Sequence, residues 1–139
     1  MKKKKEPKII HRIVFPGNKK HIIEDTDDII TVKADGHSVD IDMINDKHCC
    51  HIVCLLWVEK RLDPDIFFRC GRSVMFNMDF KRRCIPFKSG YLVTLQNGDK
   101  VKVSKRYVKK FNIFREEYAK RKRKMKRKGI PLVKKNILY

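Results

Sequence analysis

The stretch FFRCGRSVMFN, residues 67–77, sets two apolar segments on either side of a short polar turn. A second stretch, YLVTLQNGDKVKVSKRYVKK at residues 91–110, repeats this arrangement around Asn97-Gly98. Asparagine followed by glycine is typical of a two-residue β-hairpin turn, because both residues tolerate positive φ. The two stretches predict paired strands, and each carries an arginine in or next to a turn, Arg72 and Arg106.

Four further segments with strand character precede these stretches. In SVDIDMI, residues 38–44, the apolar side chains of Val39, Ile41 and Met43 alternate with polar ones. Such alternation is typical of a strand with one buried and one solvated face. The remaining segments are residues 9–15, 21–23 and 29–34. The pattern predicts a mainly β domain, and the basic stretch Lys81 to Arg83 is not assigned to a strand.

Two segments show helical periodicity instead. Apolar residues at helical spacing predict one amphipathic helix at about residues 50–62. A second helix is predicted at residues 105–128, where aromatic residues recur at steps of four, three and four and Ser104 is a candidate N-cap. Its second half, AKRKRKMKRK, has almost no apolar face. We therefore expect that half to become ordered only against an anion.

The charge of the chain lies mainly near its two ends. The formal net charge is +19, of which residues 1–9 carry +4 and residues 115–139 carry +9, leaving +6 for the rest. This distribution predicts a basic N-terminal tail at residues 1–9, a folded domain at 10–113 and a basic C-terminal extension at 114–139. A strongly positive field attracts polyanions, so nucleic acid is the leading partner. The alternative is a solvated surface that only aids solubility.

Several classes of protein are not expected from this sequence. It has no run of 18 apolar residues and no signal-peptide pattern, so we expect a cytoplasmic protein without a membrane span, associated with the nucleoid. Five cysteines without framework spacing predict reduced thiols rather than a disulfide scaffold. No catalytic motif is present, so the chain is not expected to be an enzyme.

Two groups of cysteines could have chemical roles. Thiolate and imidazole in His48-Cys49-Cys50-His51, with Cys54, are zinc-type ligands, but no second ligand pair accompanies them. The sequence therefore predicts no metal and no cofactor. Cys70 follows Arg69, and a neighbouring cation favours a reactive thiolate, although an ordinary buried cysteine is the simpler interpretation.

The order and spacing of several motifs carry a resemblance to a known family. These motifs are Phe67 to Ser73 with Asn77, Asn97-Gly98, Val103 to Tyr107 and, upstream, Asp28 to Ile30 and Lys33 to Gly36. Together they resemble the LytTR domain of bacterial LytR/AgrA-type transcriptional regulators over residues 10–113. The resemblance implies an elongated arrangement of short antiparallel β-sheets with one amphipathic helix, which presents loops to DNA. No receiver domain precedes this part, so a stand-alone factor that responds to a separate signalling partner is expected.

The resemblance also implies which residues contact DNA. Family members bind imperfect direct repeats of double-stranded DNA, so two protomers would form a dimer on one site. Three loop regions make the contacts, and they correspond here to His37, Ser38, Val39 and Asp40, to Gly71, Arg72 and Ser73, and to Lys105, Arg106 and Tyr107. We expect contacts chiefly from the last two, because Val39 and Asp40 stand where the family often has polar or basic residues.

The chemistry of these side chains suits a nucleic acid. An arginine can donate two parallel hydrogen bonds to guanine or fork onto a phosphate. Ser73, Ser104 and Asn77 could donate to phosphates, but Ser104 could instead cap a helix and Asn77 form a turn. Lysine contacts fix register without reading sequence. Candidates for phosphate contacts are Lys109 and Lys110, and in the tail Lys120, Arg121, Lys122, Arg123, Lys124, Lys126, Arg127 and Lys128.

Two other functions remain open at this point. An RNA-binding or ribosome-associated protein would carry similar basic tails, but single-strand RNA binders often expose aromatic rings on a sheet. Here the rings have apolar neighbours and are expected in the core, which favours duplex DNA. The third possibility is an interaction module that docks on a partner, with its tails on anionic lipid.

Overall fold

Ten strands and two helices make up the computed structural model, which describes residues 11–17 and 22–127. The strands are β1 (Arg12–Phe15), β2 (Ile22–Asp25), β3 (Ile29–Asp35), β4 (Ser38–Met43), β5 (His48–His51), β6 (Phe67–Arg69), β7 (Val74–Asn77), β8 (Lys81–Phe87), β9 (Gly90–Leu95) and β10 (Lys100–Val103). The helices are α1 (Leu55–Glu59) and α2 (Val108–Arg127). Three 3-10 turns lie at Thr26–Asp28, Met78–Phe80 and Lys105–Tyr107.

All the strands pair in antiparallel sheets. β1 and β2 form a hairpin, β5-β4-β3-β7-β6 form the central sheet, and β10-β9-β8 form a three-stranded sheet. The Asn97-Gly98 turn joins β9 to β10, and Gly98 has a φ of +92°, which glycine adopts readily. The predicted mainly β fold of small antiparallel sheets with a C-terminal helix is confirmed.

Strands β3, β6 and β7 of the central sheet are buried on both faces. Adjacent residues of a strand point to opposite sides, so Phe67 and Phe68 enter different cores. The first core lies under the β1–β2 hairpin and α1 and includes Phe15, Val58 and Met75. The second core lies under the three-stranded sheet and α2, where Phe68 packs against Phe111 with ring centroids 5.1 Å apart.

The helix predicted at residues 50–62 is shorter in the structure. Only Leu55–Glu59 is α-helical, and His48–His51 is the strand β5, which pairs with β4 through Val39 opposite His51 and Ile41 opposite Cys49. Cross-strand pairing satisfies the backbone of residues 48–51 and buries His51, so it overrides the weak helical pattern. Ile52, which the pattern assigned to the apolar stripe, is 83% exposed.

The basic stretch at Lys81 to Arg83 begins a strand that the sequence did not predict. These three residues are exposed and open the seven-residue strand β8, which pairs with β9 along one edge of its sheet. Charged side chains are common on edge strands because they discourage pairing with other chains. Such a run of charged residues leaves no alternation of apolar and polar residues in the sequence.

The C-terminal helix begins and ends close to the predicted positions. Residues 105–107 form a 3-10 turn, α2 follows as Val108–Arg127, and the side chain of Ser104 makes no capping hydrogen bond. The basic half is helical because the protein supplies its own anions. Tyr118 donates to Asp79, Lys122 Nζ lies 3.2 Å from Asp79 Oδ1, and Arg121 Nη1 lies 3.7 Å from Asp65 Oδ1.

α2 is continuous through residue 114, where the sequence divided domain from extension. Phe114 and Tyr118 both pack against the second core. The division at 113/114, like the proposed N-terminal tail at residues 1–9, stays a prediction, and residues 1–9 and 128–139 lie outside the described residues.

Asn77 is a structural residue rather than a phosphate contact. It is 1% exposed, its Nδ2 donates to Ile29 O at 2.9 Å, and its Oδ1 accepts from Asp79 N at 2.8 Å. The side chain thus joins β7 to β3 and fixes the turn into β8.

We predict that Asn77→Ala lowers the free energy of unfolding by about 1 to 3 kcal/mol, because it leaves a buried backbone donor and acceptor without their partner. Asn97→Ala is the matched control, since Asn97 makes the same bond to Asp99 N, at 3.0 Å, on an exposed turn. Its cost should be about 1 kcal/mol or less. Urea denaturation of both variants measures the difference, and equal losses would contradict the structural role of Asn77.

Candidate nucleic-acid interface

Two of the three predicted contact loops lie at the same end of the central sheet. β3 and β7 run antiparallel with Lys33 opposite Val74, so the turn after β3 and the loop before β7 are neighbours. The backbone extends this pairing by one bond, from Ala34 N to Ser73 O at 2.8 Å. The β3–β4 turn, residues 36–37, therefore lies beside the β6–β7 loop, residues 70–73.

The third contact segment meets the same loop. Ser104 N donates to Cys70 O at 3.4 Å, which brings the start of the 3-10 turn Lys105–Tyr107 against the β6–β7 loop. The end of β10 is fixed from its other side by Gly90, where a Cβ would collide with the Val103 carbonyl oxygen. The structure thus brings the three predicted segments together, and we call this end of the central sheet the loop end.

Arg69 holds the β6–β7 loop in shape. Its Nε donates to Gly71 O at 3.0 Å, and its Nη2 donates to Arg72 O at 2.7 Å. Its Nη1 lies 2.6 Å from Glu59 Oε1 at the end of α1. One guanidinium thus uses three of its donors to tie the loop to itself and to the helix, in the fork geometry that arginine provides and lysine cannot.

The two candidate reading arginines are exposed beside this fixed frame. Arg72 lies in the β6–β7 loop and Arg106 in the 3-10 turn, and both side chains are exposed. Within residues 11–17 and 22–127, neither guanidinium makes an ion pair or a hydrogen bond. Both are therefore available to an external acceptor.

The remaining loop candidates differ in what their side chains do. His37, Ser73, Lys105, Lys109 and Lys110 are exposed. Tyr107 packs against the second core, and Ser38 Oγ donates to Asp35 O at 3.0 Å and so closes the β3–β4 turn. Of the other residues in the first loop, Val39 is fully buried in the first core, and Asp40 faces His48 across to β5, with Asp40 Oδ1 and His48 Nε2 3.9 Å apart.

Two cationic residues near these loops, Lys88 and Arg69, were not predicted as site residues from the sequence. Lys88 is exposed in the β8–β9 turn, with a φ of +55°, at the end of its sheet where Gly90 meets Val103. Its Nζ and that of Lys102 lie 5.3 and 5.9 Å from the Phe87 ring centroid. Arg69 was visible only as part of a motif, because its partner Glu59 is ten residues earlier and on another element.

The basic half of α2 lies away from the loop end. Asp79, which holds Tyr118 and Lys122, follows the far end of β7, and Asp65, which holds Arg121, precedes the far end of β6. Lys120 Nζ lies 3.8 Å from Glu117. The exposed tail candidates without such a partner in the described chain are Arg123, Lys124 and Lys126. The Arg127 side chain and Lys128 lie outside the described part.

Cys70 lacks the features of a redox sensor. Its side chain is fully buried in the second core, and burial raises the pKa of its thiol to about 12, against the opposing effect of Arg69. The reactive form is the thiolate, so this cysteine is chemically protected and acts as a packing residue.

Comparison with known proteins agrees with this architecture. The LytTr DNA-binding domain family matches residues 19–114. The sensory transduction protein LytT of Bacillus subtilis (strain 168) is 27% identical over 100 residues, and LytT of Bacillus anthracis is 26% identical over 101 residues. These alignments cover 71% and 72% of this chain but 41% of each relative, so the chain spans less than half the length of either.

A solved LytTr DNA-binding domain from Bacillus cereus has the same fold. The superposition has a TM-score of 0.65 at 22% identity and covers 75% of this chain and 95% of the other. No helix within residues 22–127 is both long enough and apolar enough to cross a membrane. The family is one of DNA-binding domains and not of enzymes. On the match to residues 19–114, more than half of its length, the chain belongs to the LytTr DNA-binding domain family.

Proposed function

We propose that the chain is a transcriptional regulator that reads double-stranded DNA with the loop end, through Arg72 and Arg106. One observation carries the proposal: two exposed arginines, whose guanidinium groups make no ion pair or hydrogen bond to the described part of the chain, lie on loops that backbone hydrogen bonds join at one end of the central sheet. A base-reading side chain must be held in register with its neighbours, and sheet ends position loops more firmly than isolated turns do.

The chemistry assigns different tasks to the side chains of the loop end. Each arginine donates two hydrogen bonds to O6 and N7 of a guanine, which reads the base, or forks onto a phosphate, which positions the loop. The lysines at positions 105, 109 and 110 contact phosphates and set the register of the domain on the duplex. Arg69 acts as a positioning residue, because its bonds to the carbonyls of Gly71 and Arg72 keep the loop in its bound shape before DNA arrives.

The basic half of α2 would contribute affinity for DNA but no sequence specificity. Arg123 lies about 22 Å along the helix from Val108 at 1.5 Å per residue, so a single duplex reaching both must run beside α2. Direct repeats would place two such protomers on one operator, and a nucleoid position in the cytoplasm follows from that partner. Because the LytT relatives are named sensory transduction proteins, we propose that a separate signalling partner controls binding.

The alternative of an RNA-binding or ribosome-associated protein has less support. Its single-strand form needs aromatic rings exposed on a sheet as a stacking surface. Phe67, Phe68, Phe76 and Phe111 are buried, and Tyr91 and Phe114 pack against the second core. These six aromatic side chains therefore stabilise the fold and do not form an exposed stacking surface on a sheet.

We predict that Arg72→Ala and Arg106→Ala each weaken binding to the preferred duplex by about 5- to 150-fold, corresponding to about 1 to 3 kcal/mol for a base contact. The duplex is first selected from a randomised pool by the unaltered protein. Fluorescence anisotropy then compares that duplex with a scrambled one. Discrimination between the two should fall in both variants, because the lost contacts read sequence.

Arg82→Ala is the control for this experiment, since Arg82 is an exposed arginine at the opposite end of β8 from the β8–β9 turn. It should leave both affinity and discrimination unchanged. If the control weakens binding as much as the two loop variants do, the arginines act only through net charge and the loop end does not read DNA.

A second prediction concerns the tail. Replacing Arg123, Lys124 and Lys126 together by Gln should reduce the slope of log K against log salt by about 2.7, at about 0.9 for each phosphate neutralised. Discrimination between duplexes should not change, because phosphate contacts carry no sequence information. Arg82→Gln supplies the reference for loss of one charge elsewhere. An unaltered slope in the triple variant would show that the tail does not touch the duplex.

A further inference from the structure

His51 has an exposed-surface fraction of 6% and an unsatisfied ring nitrogen. Its ring is stacked on Phe15, with centroids 3.7 Å apart and planes within 2°, so its orientation is fixed. Burial lowers the pKa of His51, against the opposing effect of Glu24. Among the groups that the structure describes, none forms a hydrogen bond with Nε2. A buried polar atom without a hydrogen bond is rare in folded proteins, and such an atom often contacts a bound water or ion.

A buried carboxylate faces this nitrogen. Glu24 on β2 is 5% exposed, and its Oε2 lies 3.7 Å from His51 Nε2, beyond hydrogen-bond distance. Its other oxygen, Oε1, accepts from Lys47 Nζ at 2.9 Å. That bond raises the pKa of Lys47 and leaves Oε2 turned toward the imidazole. The carboxylate oxygen and the ring nitrogen therefore face each other as two potential metal ligands.

A thiol completes the group. Cys49 precedes His51 by two residues on β5, so both side chains lie on the same face of the strand. One ligand atom from each of Glu24, Cys49 and His51 lies within 4.8 Å of the others. Burial, with the charge of Glu24, raises the pKa of the Cys49 thiol to about 12.

We propose that Glu24, Cys49 and His51 bind one zinc-type divalent cation, through a carboxylate oxygen, a thiolate and Nε2. Sulfur, nitrogen and oxygen donors of this kind are the ligands that zinc prefers, and tetrahedral coordination would place them about 3.3 to 3.6 Å apart. The three ligand atoms, now within 4.8 Å of one another, would move closer together to reach this geometry. The two anionic ligands balance the charge of the ion, and the proton of Cys49 leaves for solvent as the metal–sulfur bond forms.

The environment fits a site of this kind. The hydrogen bond from Lys47 orients the carboxylate, and the stacking on Phe15 orients the imidazole, as supporting contacts do around metal ligands. The ion would join the β1–β2 hairpin, through Glu24, to β5 at the edge of the central sheet. Its fourth coordination position stays open to water or to a small ligand.

This proposal departs from the expectation of no metal drawn from the sequence. That expectation considered only residues 48–51 with Cys54, and it assigned residues 50–62 to a helix. As a strand, β5 separates Cys49 and His51 from Cys50 onto the opposite face, and the third ligand comes from a strand 25 residues earlier in the chain. The site is independent of the loop end and of the proposed DNA contacts.

The test titrates the full chain with Zn²⁺ after chelator treatment, in the presence of a non-thiol reductant and a competing chromogenic chelator. We expect one ion per chain for the unaltered protein and for Cys50→Ser, whose residue is exposed on the other face of β5. Cys49→Ser should bind at least 10-fold more weakly. Co²⁺ should give a thiolate charge-transfer band with the first two proteins and none with Cys49→Ser.

Stability provides a second readout. Zn²⁺ should raise Tm of the unaltered protein and of Cys50→Ser, because it binds the folded state, and should raise that of Cys49→Ser by clearly less at the same concentration. If circular dichroism shows that Cys49→Ser does not fold, Glu24→Gln is measured in its place with the same expectation. Substoichiometric binding by the unaltered protein, or equal binding by Cys49→Ser and Cys50→Ser, would overturn the proposal.

Discussion

The rest of the structure depends on the burial of strands β3, β6 and β7 of the central sheet on both faces. β3 and β7 are adjacent inner strands of this sheet, and alternate residues along them supply two separate cores. A shift of register by one residue would exchange these faces, so the packing of both cores fixes the pairing of Lys33 with Val74. That pairing determines where the strands end, and the strand ends determine where the loops meet.

The position of the loop end therefore follows from the strand pairing of the central sheet. Ser73 O and Cys70 O, both on the β6–β7 loop, receive bonds from Ala34 of β3 on one side and from Ser104, just before the 3-10 turn, on the other. Arg69 fixes the loop between them by its bonds to two carbonyls and to Glu59. Backbone hydrogen bonds and Arg69 hold the loops in place without using the side chains of Arg72 and Arg106. The guanidinium groups of these two arginines can therefore bind a ligand.

The sequence predicted what depends on local pattern. Alternation located β4, and Asn97-Gly98 located the hairpin of β9 and β10. It assigned residues 50–62 to a helix, although residues 50 and 51 end the strand β5, because a short apolar pattern can fit either element. It also missed β8, whose polar edge lacks alternation. The bonds of Arg69 to Glu59 and the approach of Glu24 to His51 join distant segments, so no local pattern reports them.

The central claim is that the loop end is the surface that meets DNA, and the most direct measurement is an amide chemical-shift titration of the ¹⁵N-labelled chain with its selected duplex. The account predicts that the largest shifts fall on residues 36–38, 71–73 and 105–107, with smaller ones on the exposed basic face of α2. Shifts confined to the β1–β2 hairpin, to β8 or to the far half of α2, with the three loops unaffected, would contradict it.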